Sequence, residues 1–138
     1  MKKLLVILLV LVFMVSCVQD HTGKEMDKLL TQRYEEGDRF VLVEDMVEAP
    51  WDSVWLVNRS KEDMVLPADL EDLKPSDKVR IIVVRDGKIE ELEFSDKVEL
   101  KYSSQILVSA FQLYNDSEFQ IDRVDEKFLL NYYEDCNV

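Results

Sequence analysis

Leu4 to Val15 is an unbroken run of twelve apolar residues, and what that run can be decides how much chain is left to fold. As a helix it would span about 18 Å against about 30 Å of bilayer hydrocarbon, too short for a settled transmembrane segment. Met1-Lys2-Lys3 places a short cationic stretch in front of it, and Ser16 is a small residue where a cut would fall. Cationic start, apolar stretch and small residue, in that order, read as an export signal over residues 1–16.

The last four residues of this segment, Met14-Val15-Ser16-Cys17, resemble the lipobox of bacterial lipoprotein signals, with Met14 standing where leucine is usual. The resemblance implies that Cys17 is acylated, becomes the mature N-terminus and anchors the chain to a membrane through its lipid. Val18 follows the cysteine, where aspartate would favour inner-membrane retention. In a Gram-negative envelope this points to the outer membrane. Residues 17–21 then form a tether, and residues 22–138 are left as the folded domain.

Cleavage before Cys17 removes 16 of the 138 residues and leaves 122, one domain's worth with enough apolar content for a core. The formal charge of −12 becomes −14 once Lys2 and Lys3 are gone. Such a surface repels phosphate backbones, so nucleic acid is excluded as a partner. Attraction runs towards a basic protein or peptide or a divalent cation, while the same charge keeps an exported domain soluble. With Cys17 lipidated, Cys136 is a leftover thiol near the C-terminus, open to pairing between chains or simply incidental.

Thr22 to Gly37 carries helix signals at both ends. Thr22 and Glu25 have capping-box spacing, Gly37 suits a left-handed end, and Met26, Leu29, Leu30 and Tyr34 make one apolar stripe. Strand character begins at Arg39 to Val43 and returns at Ser53 to Val57. Asn58 to Leu66 reads as loop, and Pro67 to Leu73 as a short second helix. Lys78 to Arg85, with Val79, Ile81, Ile82, Val83 and Val84, reads as a strand inside a sheet. Asp86-Gly87 turns it back into a strand over Ile89 to Phe94, on which Ile89 and Leu92 alternate with charge. Lys97 to Tyr102 alternates cleanly, Ile106 to Tyr114 leans to strand over helix, and Glu118 to Val124 pairs with Lys127 to Tyr133. The expected fold is a single small α+β domain, mostly antiparallel sheet with an N-terminal helix and a second short one.

Chemistry-bearing constellations are scarce. The only histidine, His21, lies in the tether, which argues against nucleophilic triads. Zinc clusters and glycine-rich phosphate loops are missing from the sequence. Glu90, Glu91, Glu93 and Asp96 lack calcium-loop spacing and read better as a solvated strand face. We therefore assign no catalytic residue, no metal and no cofactor. The distinctive segment is Pro50-Trp51-Asp52-Ser53-Val54-Trp55-Leu56-Val57, where alternation puts Trp51, Ser53, Trp55 and Val57 on one face. Both tryptophans then either pack as core or, with Arg59 from the following loop, form a part-exposed binding platform.

That segment, with Glu36-Gly37-Asp38 before it and Val83-Val84-Arg85-Asp86-Gly87-Lys88-Ile89 after it, resembles a group of small, uncharacterised bacterial lipoproteins and exported proteins. In that group a Trp-Asp-x-Val-aromatic strand precedes a variable loop and then an Asp-Gly-Lys hairpin. The resemblance covers Tyr34 to Phe94 and brings no activity and no catalytic residue with it. The expectation is a lipid-anchored cell-envelope protein acting as a non-catalytic binding or accessory module. Two alternatives stand beside it: a prophage-type exclusion or immunity lipoprotein, and a small carboxylate-based hydrolase.

Overall fold

A computed structural model of the chain describes residues 23–58, 65–103 and 109–133. Within them, helix α1 (Gly23–Glu35) and a one-turn helix α2 (Val43–Met46) accompany eight strands. The strands are β1 (Phe40–Leu42), β2 (Ser53–Val57), β3 (Arg80–Arg85), β4 (Lys88–Glu91), β5 (Val98–Ser103), β6 (Ala110–Leu113), β7 (Glu118–Val124) and β8 (Lys127–Tyr133). The expected α+β class, with mostly antiparallel pairing, is what the chain adopts. The strands divide between two four-stranded sheets, ordered β1-β7-β8-β5 and β4-β3-β2-β6. Every pairing is antiparallel except β5 with β8.

The main core lies between the sheets. The first contributes Val41, Val98, Phe119, Ile121, Phe128 and Leu130, and the second Val54, Leu56, Ile81, Val83 and Leu113. Helix α1 adds Met26 and Leu30, both fully buried, from the stripe that its sequence spacing predicts. It ends as expected: Gly37 has φ +85°, Asp38 N donates to Arg33 O and Gly37 N to Tyr34 O, which is the Schellman pattern. Near its start, Ser95 Oγ donates to Asp27 Oδ1 at 2.7 Å, and near its end Tyr34 packs edge-on against Phe128. Further along β8 Tyr102, Phe111, Phe119 and Tyr132 interlock, the contacting ring centroids 5.3 to 6.3 Å apart. Those rings join edge strand β5 of one sheet to edge strand β6 of the other.

A smaller cluster covers the outer face of the second sheet. Val57, Ile82 and Val84 face a strap formed by Leu66, Leu70 and Leu73. The strap is tied down at its end, where Arg80 Nη2 donates to Lys74 O at 2.9 Å. Strand β3 is thus apolar in succession because it has cover on both faces, as its interior position in the sheet predicts. The Asp86-Gly87 turn has φ +50° and +73°, the two left-handed residues of a type I′ hairpin.

Several boundaries differ from the sequence expectation. Val43 opens α2 instead of ending β1, because Asp45 Oδ2 accepts Leu42 N while Ser117 O and Asn115 O take the amides of Val43 and Glu44. The Pro67 to Leu73 helix is a single 3₁₀ turn, Ala68–Leu70. Ile89 and Leu92 do not share a face: three residues apart in extended chain, Ile89 packs in the outer cluster and Leu92 in the main core. Thr22 of the capping box and Ile106 to Val108 lie outside the described residues.

Candidate functional site

The two tryptophans do not form one platform. Alternation holds for Trp55 and Val57, which point to the outer cluster, while Val54 and Leu56 point to the main core. Trp51 lies two residues ahead of the strand, beyond a bend at Asp52, and packs against the main core instead. Strand periodicity cannot be extended past the ladder that enforces it. Trp55 is half-buried and structurally committed: its Nε1 donates to Ser53 Oγ at 2.9 Å, and Ser53 Oγ donates to Asp69 Oδ2 at 3.2 Å. This chain links β2 to the strap. Arg59, the third residue of the expected platform, lies outside the described residues, as do Cys17, His21 and Cys136.

Trp51 instead walls a cleft of about 520 Å³, within the usual range of ligand clefts. The cleft exists because the β2–β6 ladder stops at Val54 opposite Leu113. Beyond that pair β6 turns away. Tyr114 N donates to Ser117 Oγ at 2.8 Å, Ser117 N returns to Tyr114 O at 3.1 Å, and Asn115 O accepts Glu44 N at 3.1 Å. Tyr114 and Asn115 are thereby drawn towards α2 and leave a gap facing Trp51 to Ser53. Val47, Ser53 and Leu113 are buried lining residues, while Glu44, Asp52, Gln112, Tyr114 and Asn115 line the cleft as exposed ones.

The Trp51 wall is held from behind by the β3–β4 hairpin. Arg85 donates from Nη2 to Glu48 O at 2.7 Å and from Nε to Pro50 O at 3.1 Å, while its Nη1 pairs with Glu90 Oε2 at 3.2 Å. Asp86 N donates to Asp52 Oδ2 at 2.8 Å, and Asp52 N to Val84 O at 2.8 Å. The residues on either side of Trp51 are therefore anchored before any ligand arrives, which lowers the ordering cost of binding.

Among the described residues the cleft carries two carboxylates, Glu44 and Asp52, and no lysine, arginine or histidine. Among the described residues no three His, Cys, Asp or Glu side chains come together as they would around a metal ion. No helix among them is long and apolar enough to cross a membrane. Sequence reasoning singled out the segment holding Trp51 and Asp52 but missed Glu44, Gln112, Tyr114 and Asn115. Those four come from α2, from β6 and from the turn after it, and no local pattern ties them to Trp51. The chain matches no protein-family model, no curated protein and no solved structure.

Proposed function

We propose that this protein is a lipid-anchored component of a bacterial cell envelope, held through Cys17, and that it acts by binding at the Trp51 cleft without catalysis. The observation that carries the binding reading is the anchored, half-buried Trp51 beside a concave gap with exposed polar groups around it. Tryptophan is one of the residue types in which contact hot spots are enriched. Glu44 and Asp52 are both exposed, whereas a carboxyl tuned for general-acid work sits in an apolar pocket. This favours binding over hydrolysis. The anchor rests on the sequence Met14 to Cys17, and stable tethering takes more than one acyl chain, as a fully processed lipoprotein cysteine supplies.

Two measurements test the reading. Cys17→Ser is expected to release the protein from the membrane fraction or leave it unprocessed, and an unmodified mature N-terminus by intact mass would refute the anchor. Crosslinking in native envelopes should yield a partner that Trp51→Ala loses and Trp55→Phe keeps. Equal capture by wild type and Trp51→Ala would refute the cleft as the binding surface.

A further inference from the structure

We propose that the Trp51 cleft receives an arginine side chain presented by an extended segment of a partner protein. This rests on the cleft being the binding surface and adds the chemistry of what enters it. Charge is the first argument. Glu44 and Asp52 are the only acidic or basic residues lining the cleft among the described residues, on a chain whose formal charge is −12. The Glu44 carboxylate makes no hydrogen bond or ion pair among the described residues. Asp52 engages Asp86 N through Oδ2, and Oδ1 has no partner among them. Two carboxylates with acceptor capacity to spare suit a cation and repel an anion.

Shape and aromaticity separate arginine from lysine. The guanidinium is planar, weakly hydrated and stacks on aromatic faces, whereas an ammonium is a compact, strongly hydrated point charge. Trp51 offers the best ring type for such stacking, and Gln112, Tyr114 and Asn115 add oxygen acceptors for a donor fork. At about 520 Å³ the cleft has room for more than one side chain, which fits a segment of peptide better than an isolated ion. The exposed Ala49 and the half-buried Trp51 give the aliphatic stem of arginine an apolar surface to lie on.

The protein has two tryptophans, so the full chain labelled with 5-fluorotryptophan in nonionic detergent gives two ¹⁹F resonances, with Trp55 as an internal reference. Titration with N-acetyl-arginine amide should shift the Trp51 resonance saturably and leave Trp55 in place. The neutral isostere N-acetyl-citrulline amide should have no effect, and N-acetyl-lysine amide should bind more weakly. Glu44→Gln, at an exposed side chain without partners, should weaken arginine binding about three-fold, and addition of Asp52→Asn about five- to ten-fold in all. Unshifted Trp55 in the variants reports an intact fold. Citrulline or lysine binding as tightly as arginine would overturn the proposal while leaving the cleft as a binding surface. A stationary Trp51 resonance in every titration would also overturn it, and the envelope crosslinking of Trp51→Ala then decides the wider reading separately.

Discussion

The two faces of the β4-β3-β2-β6 sheet are built from the same few residue types and are covered in different ways. The inner face, with Val54, Leu56, Ile81, Val83 and Leu113, meets a second sheet and a helix. The outer face, with Val57, Ile82 and Val84, meets among the described residues a strap whose regular part is one 3₁₀ turn. Adjacent residues Ile81 and Ile82 are both fully buried, so accessibility alone cannot tell the faces apart. What differs is how far the cover can give way. Each sheet is held rigid by its own ladders and the two meet through packed side chains and interlocked rings, while a strap attached through Leu70, Asp69 and Lys74 can sink into a void. Equal burial therefore does not mean equal energetic weight.

The largest test of that difference is a matched pair in one strand. Ile81→Ala is expected to cost about 4 kcal/mol and Ile82→Ala about 2–3 kcal/mol, because the cost of a cavity depends on how well the site collapses. Urea denaturation of both variants measures it, and equal losses would mean the strap is as rigid as a sheet.

The hairpin between the faces comes next. Gly87 has φ +73°, so Gly87→Val should cost about 1–2 kcal/mol from the left-handed penalty. Since Arg85 precedes this turn, Asp86 is its first residue, and both hold the segment around Trp51, the same variant should also loosen the cleft. Thermal melting reads the first effect and acrylamide quenching of Trp51 the second. An unchanged melting temperature would show that the turn tolerates a β-branched side chain.

A smaller effect is expected at Ser53, which links Trp55 Nε1 to Asp69 across the outer face. Ser53→Ala should cost about 1 kcal/mol through the two lost hydrogen bonds. Its signature should be confined to the strap, with faster amide hydrogen exchange at Ala68 to Leu70 and no change in α1. Exchange rising equally in both regions would erase the distinction between the layers.

The smallest effect lies at the surface, where Arg33 joins the end of α1 to Asp38 and Asp45 at 3.1 and 3.2 Å. The Phe40 amide, and after it the Arg33 guanidinium, hold the Asp38 carboxyl below its ordinary pKa. A depressed carboxyl contributes stability above its unfolded pKa and loses it as pH falls through the folded one. Asp38→Asn should therefore lower stability slightly at neutral pH and converge with wild type in strong acid. An NMR titration of the Asp38 carboxyl with an ordinary midpoint would contradict this.

Legibility followed the range of the interactions involved. Gly37, Asp86 and Gly87 were readable because each position demands a positive φ that few residues adopt. Ser53–Val57, Glu118–Val124 and Lys127–Tyr133 matched their expected bounds because alternation is a property of each strand alone. The α2 turn was not readable. Its first amides bond to Ser117 and Asn115, more than seventy residues away, so the local pattern Val41-Leu42-Val43 reads as unbroken strand. Trp51 was misplaced for a related reason, since its direction depends on where the β2–β6 ladder stops.

By itself the sequence determined the inventory of the folded part: one helix with its left-handed end, most of the strands and the two-residue turn at Asp86-Gly87. These depend on φ preferences and on the period of apolar residues, which operate within a few residues. Only the tertiary structure decided that the strands split into two sheets, that β5 runs parallel to β8, and that Trp51 and Trp55 serve different layers. Those outcomes are choices of partner among distant segments with similar apolar faces. The cleft belongs with them, because a gap between Trp51 and Tyr114 exists only once two strands more than fifty residues apart have paired and then parted.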